Sequence, residues 1–134
     1  MEAVAKLKNC PMSPRKMRLV VDNIRGKDVE DALNILKFTK KEAAGWLEKV
    51  VISAIANWEN KNGNTVDADD HSLYIKTAFV DGGTMLKRFR PAPHGRAHRI
   101  RKRTNHVTIV VENRIPTALD NQVEEAATVS GEEE

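Results

Sequence analysis

The sequence predicts an α+β domain that carries a long, cationic β-hairpin. Helical hydrophobic spacing recurs in three segments between residues 13 and 58, and strand-like apolar runs lie before and after them. A cationic stretch with a Gly/Pro-containing centre is enclosed by the last two strand-like runs, which is typical of a β-hairpin. A length of 134 residues suits one compact domain with an extension or a tail.

The first two elements are a short strand over residues 2–9 and a helix that begins at Ser13-Pro14. Ser is a favoured N-cap, and Pro at the first helical position loses no hydrogen bond. The apolar face of this helix holds Met17, Val20, Val21 and Ile24. Gly26 ends the helix. Four cations fall mainly off the apolar face, namely Arg15, Lys16, Arg18 and Arg25.

Two further helices follow. Asp28 is expected to cap a shorter helix that turns Val29, Leu33 and Leu36 inward. Thr39 and Glu42 have the spacing of a capping box at the start of a third helix. Its helically spaced apolar positions are Ala43, Ala44, Leu47, Val50, Val51, Ala54, Ile55 and Trp58. The small residues among them predict close packing against a sheet, and Asn60, Asn62 and Gly63 end the helix.

Residues 73–81 and 107–111 are interpreted as strands. Leu73, Ile75, Thr77 and Phe79 are expected to share one face of the first. Gly82-Gly83 is expected to form a bulge or bend where the hairpin begins. About 20 residues separate Leu73 from the apex, so the ribbon could reach about 60 Å, of which about half would project.

Charge is distributed unevenly along the chain. Residues 1–111 carry 21 Lys/Arg against 12 Asp/Glu, whereas residues 112–134 carry one Arg against seven acids. A basic body indicates a polyanionic partner. We interpret residues 1–116 as the domain that binds this polyanion, including a hairpin over about 80–108, and residues 117–134 as an acidic, disordered tail.

The hairpin segment carries the functional prediction. Between Thr84 and His106 there are eight cations and no acid; the cations are Lys87, Arg88, Arg90, Arg96, Arg99, Arg101, Lys102 and Arg103. Such a ribbon buries little apolar surface, and its cations repel one another. We therefore expect it to be stable when a polyanion neutralises the charge. Six of the eight are Arg, whose planar guanidinium group can bind a phosphate through two hydrogen bonds. The alternative is a solvated face or a disordered arm. The cations of the first helix form a second candidate patch, with the same alternative.

Other chemistry finds little support. His94 and His98 are four residues apart, but eight nearby cations would oppose a metal ion, so we expect no metal and no cofactor. Asp69-Asp70-His71 is interpreted as a hydrated turn. Cys10 is the single cysteine, which rules out an intrachain disulfide and favours a reducing compartment. The sequence shows no catalytic constellation and no apolar run that would cross a bilayer.

Several motifs together resemble the bacterial large-subunit ribosomal protein L-twenty-two family. They cover roughly residues 4–112 in family order. The opening helix contributes Ser13-Pro14-Arg15-Lys16-Met17-Arg18-Leu19-Val20 and Ile24-Arg25-Gly26-Lys27, and the long helix contributes Ser53-Ala54-Ile55-Ala56-Asn57. The hairpin contributes Phe79-Val80-Asp81-Gly82-Gly83, Leu86-Lys87-Arg88-Phe89-Arg90-Pro91, Gly95-Arg96-Ala97, Arg99-Ile100, Lys102-Arg103-Thr104 and His106-Val107.

The resemblance implies three helices packed on a small three-stranded antiparallel sheet, with a long protruding hairpin. It implies a structural protein that binds large-subunit ribosomal RNA, aids assembly and works in the cytoplasm within the ribosome. Its partners would be that RNA, neighbouring ribosomal proteins and the nascent peptide, with no membrane and no small-molecule substrate. The hairpin tip would line the exit tunnel through Pro91, Ala92, Pro93, His94, Gly95, Arg96 and Ala97.

Two further comparisons with the family concern the hairpin. Leu86-Lys87-Arg88 matches a stretch whose loss confers macrolide resistance in the family. Bacterial members often have an arginine and a lysine where Ala92 and His94 stand here, a departure that weakens the expectation of a tunnel contact at those two positions.

Two other classes of protein are alternatives. A DNA-architectural protein could insert a basic β-arm into the minor groove, and a proline near the tip suits that, but no dimer seam is evident. An enzyme acting on RNA would need a catalytic constellation that the sequence lacks.

Overall fold

The computed structural model describes residues 1–63 and 71–116 and confirms the α+β class. In chain order the elements are β1 (Glu2–Cys10), α1 (Pro14–Ile24), α2 (Val29–Phe38), α3 (Glu42–Lys61), β2 (Leu73–Pro91), a short 3₁₀ turn (Pro93–Gly95) and β3 (Ala97–Asn113). The acidic tail and Asp69-Asp70 lie outside the described residues.

The three strands form one antiparallel sheet in the order β1-β3-β2, with three helices packed on one face. Side chains alternate between the faces of a strand, so every second residue of β3 from Val107 to Val111 points into the core. Those residues are Val107, Ile109 and Val111, each fully buried. Trp58 of α3 is the largest of the fully buried side chains and lies in the same core.

Helix α1 forms as the sequence predicts. Ser13 occupies the N-cap in an extended conformation and Pro14 is the first helical residue, although the Ser13 hydroxyl makes no capping hydrogen bond. The buried residues are the predicted Met17, Val20, Val21 and Ile24. Gly26 follows the helix with φ of +74°, a left-handed conformation that glycine adopts at little cost.

The capping box predicted at Thr39 is wrong. The N-cap of α3 is Lys41, and no side chain caps the helix. Thr39 is instead the C-cap of α2, and its hydroxyl donates to the carbonyl of Ile35 at 2.6 Å. A Thr hydroxyl readily bonds a carbonyl four residues back, and the connection between the helices is too short for Thr39 to serve both. Leu33 and Ile55, expected to face inward, are only partly buried.

The predicted face of β2 is correct at its start and wrong beyond Ile75. A bulge between Ile75 and Thr77 adds one residue to β2 opposite β3. An extra residue reverses the alternation, so Ala78 and Val80 are buried while Phe79 and Thr77 point outward. At this point the loop after α1 pairs with β2: Gly26 N–H donates to Ile75 O, and Ile75 N–H donates to Lys27 O.

Side chains from two helices cover the backbone at both edges of the sheet. On β1, Asn57 donates to the carbonyl of Val4 at 3.0 Å, and Lys61 donates to that of Glu2 at 2.8 Å. On β2, Arg18 of α1 donates to the carbonyl of Val80, and Arg25, the C-cap of α1, donates to that of Ala78. An unpaired sheet edge is a template for unwanted strand pairing, so these contacts protect the domain as well as holding the helices on the sheet.

Candidate nucleic-acid interface

The long arms of β2 and β3 form the predicted hairpin. They pair continuously from Met85–Arg103 to Pro91–Ala97. All eight cations of the segment are exposed, and no acid lies among them. The ribbon therefore presents positive charge on both faces, with no core beneath it.

The register gives the charges a pattern that composition alone does not reveal. Directly opposite residues share a face, and half of the eight cations lie opposite an apolar side chain. These pairs are Met85–Arg103, Leu86–Lys102, Arg88–Ile100 and Phe89–Arg99. Lys87–Arg101 is the single pair of directly opposite Lys/Arg residues in the described hairpin. Because the aliphatic stem of an Arg or Lys can cover an apolar neighbour, the alternation lessens the repulsion expected from the sequence.

A β-bulge at Gly83 marks the start of the hairpin, as the sequence predicted. Gly82 pairs with Asn105 and Met85 with Arg103, so Gly83 and Thr84 together face Thr104. A Cβ on Gly83 would lie 2.4 Å from Thr104 Oγ1 and 3.2 Å from the Thr104 carbonyl. The Thr104 hydroxyl donates to Thr84 O at 2.6 Å. The absence of a side chain at Gly83 lets the two strands approach closely here.

Three contacts hold the hairpin root to the domain. The Arg18 guanidinium donates twice to Val80 O, from Nε at 3.2 Å and from Nη2 at 2.9 Å. Buried Asn105 donates to Met12 O at 2.7 Å. The backbone N–H of Asn9 donates to Nδ1 of His106 at 3.0 Å. Both strands are thus fixed just before the bulge, so the direction of the hairpin is defined within the domain.

The tip is a tight loop closed by a hydrogen bond from Ala92 N–H to Arg96 O at 2.8 Å. His94 and Gly95 both have left-handed backbone conformations, with φ of 63° and 67°. A Cβ on Gly95 would meet nothing within 4 Å, so only the conformation favours glycine there. The loop carries the exposed side chain of Arg96 at the far end of the ribbon.

The second predicted patch, on α1, divides into two kinds of residue. Arg15 and Lys16 are exposed at the start of the helix. Arg18 and Arg25 are also solvent-accessible, but their guanidinium groups are engaged: Arg25 donates from Nε and Nη2 to Ala78 O at 3.0 and 2.9 Å. Arg25 also lies 2.8 Å from the carboxylate of Asp22. The sequence did not predict that Arg18 and Arg25 would bind backbone carbonyls of β2.

Sequence reasoning also missed Asn105 and Thr104. The sequence around Asn105 gives no signal of its structural role, because its hydrogen-bond partner Met12 is 93 residues away. Gly82-Gly83 was the only signal of the close approach, and it does not identify Thr104. Cys10 is buried, and this burial raises the pKa of its thiol, which disfavours the reactive thiolate form.

The described residues carry no further site of a competing kind. In residues 1–63 and 71–116, no three His, Cys, Asp or Glu side chains are grouped to hold a metal ion. Within the same ranges, none of the helices combines the length and the apolar character needed to span a bilayer.

A small α+β domain with a projecting cationic hairpin belongs to the class of proteins that bind a polyanion. Residues 5–112 match the family model described as ribosomal protein L22p/L17e. The chain belongs to this family of ribosomal proteins, which is not an enzyme family.

Individual relatives agree with the family match. The chain is 65% identical over 111 residues to large ribosomal subunit protein uL22 of Flavobacterium johnsoniae, covering 81% of this chain and 79% of the relative. It is 62% identical over 109 residues to the protein of that name in Christiangramia forsetii, covering 81% and 80%. The corresponding protein of Bacteroides fragilis strain YCH46 is 57% identical over 110 residues, covering 82% and 79%.

Proposed function

We propose that this chain is a structural constituent of the large ribosomal subunit and binds large-subunit ribosomal RNA through its hairpin. The observation that carries the proposal is the ribbon from Met85 to Arg103, which is exposed on both faces and holds cations but no acid. Membership in a family of ribosomal proteins makes ribosomal RNA the polyanion. The family also supports a role without catalysis.

Phosphate neutralisation is the expected basis of binding. A two-stranded ribbon outside a core is marginal in water, and each Arg can form two parallel hydrogen bonds to a phosphate. Cations on both faces suit a ligand that surrounds the ribbon, as folded RNA would, better than a ligand on one side. RNA shape and backbone contacts should therefore dominate over base reading.

The position of the tip is the finer part of the proposal. By resemblance to the family, Pro91–Ala97 lines the nascent-peptide exit tunnel and Arg96 faces its lumen. Neighbouring ribosomal proteins and the nascent peptide would then be further partners, in the cytoplasm. The acidic residues 117–134 are proposed to remain in solvent, because phosphate repels them.

Sedimentation of a cell lysate through a sucrose gradient tests the main proposal. The protein should peak with the large subunit, whereas a free or nucleoid-bound pool would contradict the proposal. Arg99→Glu/Arg101→Glu should abolish co-sedimentation. The second change places a carboxylate opposite Lys87, so it should not weaken the ribbon itself. Arg99→Lys/Arg101→Lys is the matched control that preserves charge, and it should retain substantial incorporation.

A further inference from the structure

Phe38 is the most exposed large apolar side chain among the described residues, with 79% of its surface accessible. It is the last residue of α2, whose buried residues are Val29, Ala32 and Leu36. An exposed Phe gains nothing from folding, because the ring stays in water. Phe89 of the hairpin, 69% exposed, is the next most exposed of these residues.

The charges around Phe38 resemble those around Phe89. Lys37, Lys40 and Lys41 flank it and are exposed, and no described residue forms an ion pair with any of them. Glu42 is the single acid within four positions of Phe38 in either direction. Three cations beside an uncovered aromatic ring form a surface complementary to a ligand with phosphates and flat apolar faces.

The backbone around this corner is well fixed. The Thr39 hydroxyl bonds Ile35 O, and Lys41 N–H donates to Thr39 O at 2.9 Å. Ala44 N–H donates to Lys41 O at 2.9 Å. Lys37 and Phe38 project from the last turn of α2, and Lys40 and Lys41 project from the short, ordered connection to α3. Little backbone entropy would therefore be lost on binding.

We propose that the α2–α3 corner is a second RNA-binding site, in which Phe38 stacks on an unpaired base and the three lysines contact flanking phosphates. The proposal rests on the proposed function for the identity of the ligand, but it concerns a surface separate from the hairpin. Proteins recognise unpaired bases in RNA by stacking them on aromatic side chains. A loop or bulge in ribosomal RNA is thus the expected ligand, rather than a regular duplex.

The test measures the affinity of the full-length protein for a large-subunit ribosomal RNA transcript at fixed salt. Phe38→Ala should weaken binding about tenfold, as expected for loss of one stacked base. Phe38→Tyr should restore it, since a flat ring remains. Ile52→Ala is the matched control: Ile52 is 52% exposed on α3, and its loss should leave affinity unchanged. Lys40→Glu/Lys41→Glu should weaken binding further and reduce its salt dependence.

Comparison with the hairpin separates the two proposals. If Arg99→Glu/Arg101→Glu weakens binding and Phe38→Ala does not, the corner site is overturned while the proposed function stands. If neither variant changes affinity, both fail. Ultraviolet crosslinking in purified large subunits gives the second readout: a nucleotide joined to the peptide containing Phe38 supports the site. A crosslink from that peptide only to a neighbouring protein would overturn it.

Discussion

At Gly83 a side chain would overlap Thr104 on the opposite strand, so the role of this glycine is steric. Its φ is not left-handed, so the requirement is for space and not for backbone freedom. Gly82, its neighbour, has nothing within 4 Å of the position where a Cβ would lie. Two adjacent glycines that look equivalent in the sequence are therefore expected to differ sharply in their tolerance of a side chain.

Gly83→Ala should lower the free energy of unfolding by about 1–3 kcal/mol, because a methyl group there overlaps Thr104. Gly82→Ala should have little effect. Urea denaturation of both variants measures the difference. Adding Thr104→Ala to Gly83→Ala should recover part of the loss by removing the nearest atom, although the Thr104 backbone remains 3.2 Å away. Equal stability of the two single variants would contradict this account of the bulge.

Tyr74 and Glu112 form a cross-strand pair from which a pH dependence of stability is expected. The Tyr74 hydroxyl donates to the Glu112 carboxylate at 2.6 Å, and this bond is the main reason that the pKa of Glu112 is lowered. Lys76 also contributes and lies between Glu112 and Glu2. A carboxyl group whose pKa is lower in the folded state stabilises the fold above its unfolded pKa, and that contribution disappears as pH falls through the folded value.

Tyr74→Phe should therefore destabilise the protein more at pH 7 than at pH 3. Phenylalanine keeps the ring over which the Arg114 guanidinium lies, 5.2 Å from its centroid, so the change isolates the hydroxyl. Unfolding free energies of both proteins at several pH values provide the measurement. A difference between them that stays constant across this range would show that the hydrogen bond does not depend on the charge of Glu112.

At the scale of elements, α1 is both a core helix and the support of the hairpin root. Arg18 and Arg25 lie seven positions apart, which places them on the same side of the helix two turns apart. Their partners, Val80 O and Ala78 O, are two residues apart and point outward from the same edge of β2. The helix thus fixes β2 immediately before the bulge.

Arg18→Ala should lower the free energy of unfolding by about 1 kcal/mol, since a charged donor to a partly buried carbonyl is lost. Arg15→Ala should change stability by less than about 0.5 kcal/mol and act only on RNA affinity. Denaturation and RNA titration of both variants distinguish the two roles. If Arg18→Ala proved as stable as the parent protein, the hydrogen bonds from Arg18 to Val80 O would not stabilise the fold. Arg18 would then again be a candidate for contact with RNA.

The elements were predictable where local pattern decides them and unpredictable where distant contacts do. Met17, Val20, Val21 and Ile24 follow from helical spacing alone. The bulge near Lys76 does not, because it arises where the loop after α1 pairs with β2, and it reverses the predicted face of Phe79. The capping box predicted at Thr39 was wrong for a related reason. The Thr39 hydroxyl could bond either back to α2 or forward to α3, and in the short connection it bonds back to Ile35 O.

The candidate site was predictable in composition but not in arrangement. The acid-free cationic run and its turn gave the hairpin and its approximate tip. The alternation of cations with apolar residues across the strands depends on register, which the Gly83 bulge sets. Phe38 was overlooked because an aromatic residue at a helix end is usually part of the core, and only the fold shows that none of the described residues covers its ring.

At the scale of the whole molecule, the hairpin is an extension of the sheet whose two faces remain distinct. The bulge inserts one residue into β2, and Met85, Lys87 and Phe89 consequently continue the helix-covered face of the sheet. The opposite face continues through Leu86, Arg88 and Arg90. The face on which a side chain of the ribbon lies thus depends on whether it is an odd or an even number of residues from the bulge.

Deleting Leu86-Lys87-Arg88 should leave the domain folded, because these residues are exposed and lie beyond the root contacts. Removing an odd number of residues turns Phe89 to the opposite face and shifts it from Arg99 to Lys102. Arg90 would then face Arg101, a new like-charge pair, and the tip would withdraw by about 10 Å and be displaced sideways.

By resemblance to the family, ribosomes with this deletion should assemble and translate but resist macrolides, since a displaced tip widens the tunnel. Deleting only Lys87-Arg88 is the matched control: an even number of residues shortens the arm while Phe89 keeps its face. Drug sensitivity and the tip position, seen by cryo-electron microscopy of both mutant subunits, should therefore differ between the two deletions. Wild-type sensitivity with an undisplaced tip in the three-residue deletion would show that Pro91–Ala97 does not lie at the tunnel constriction.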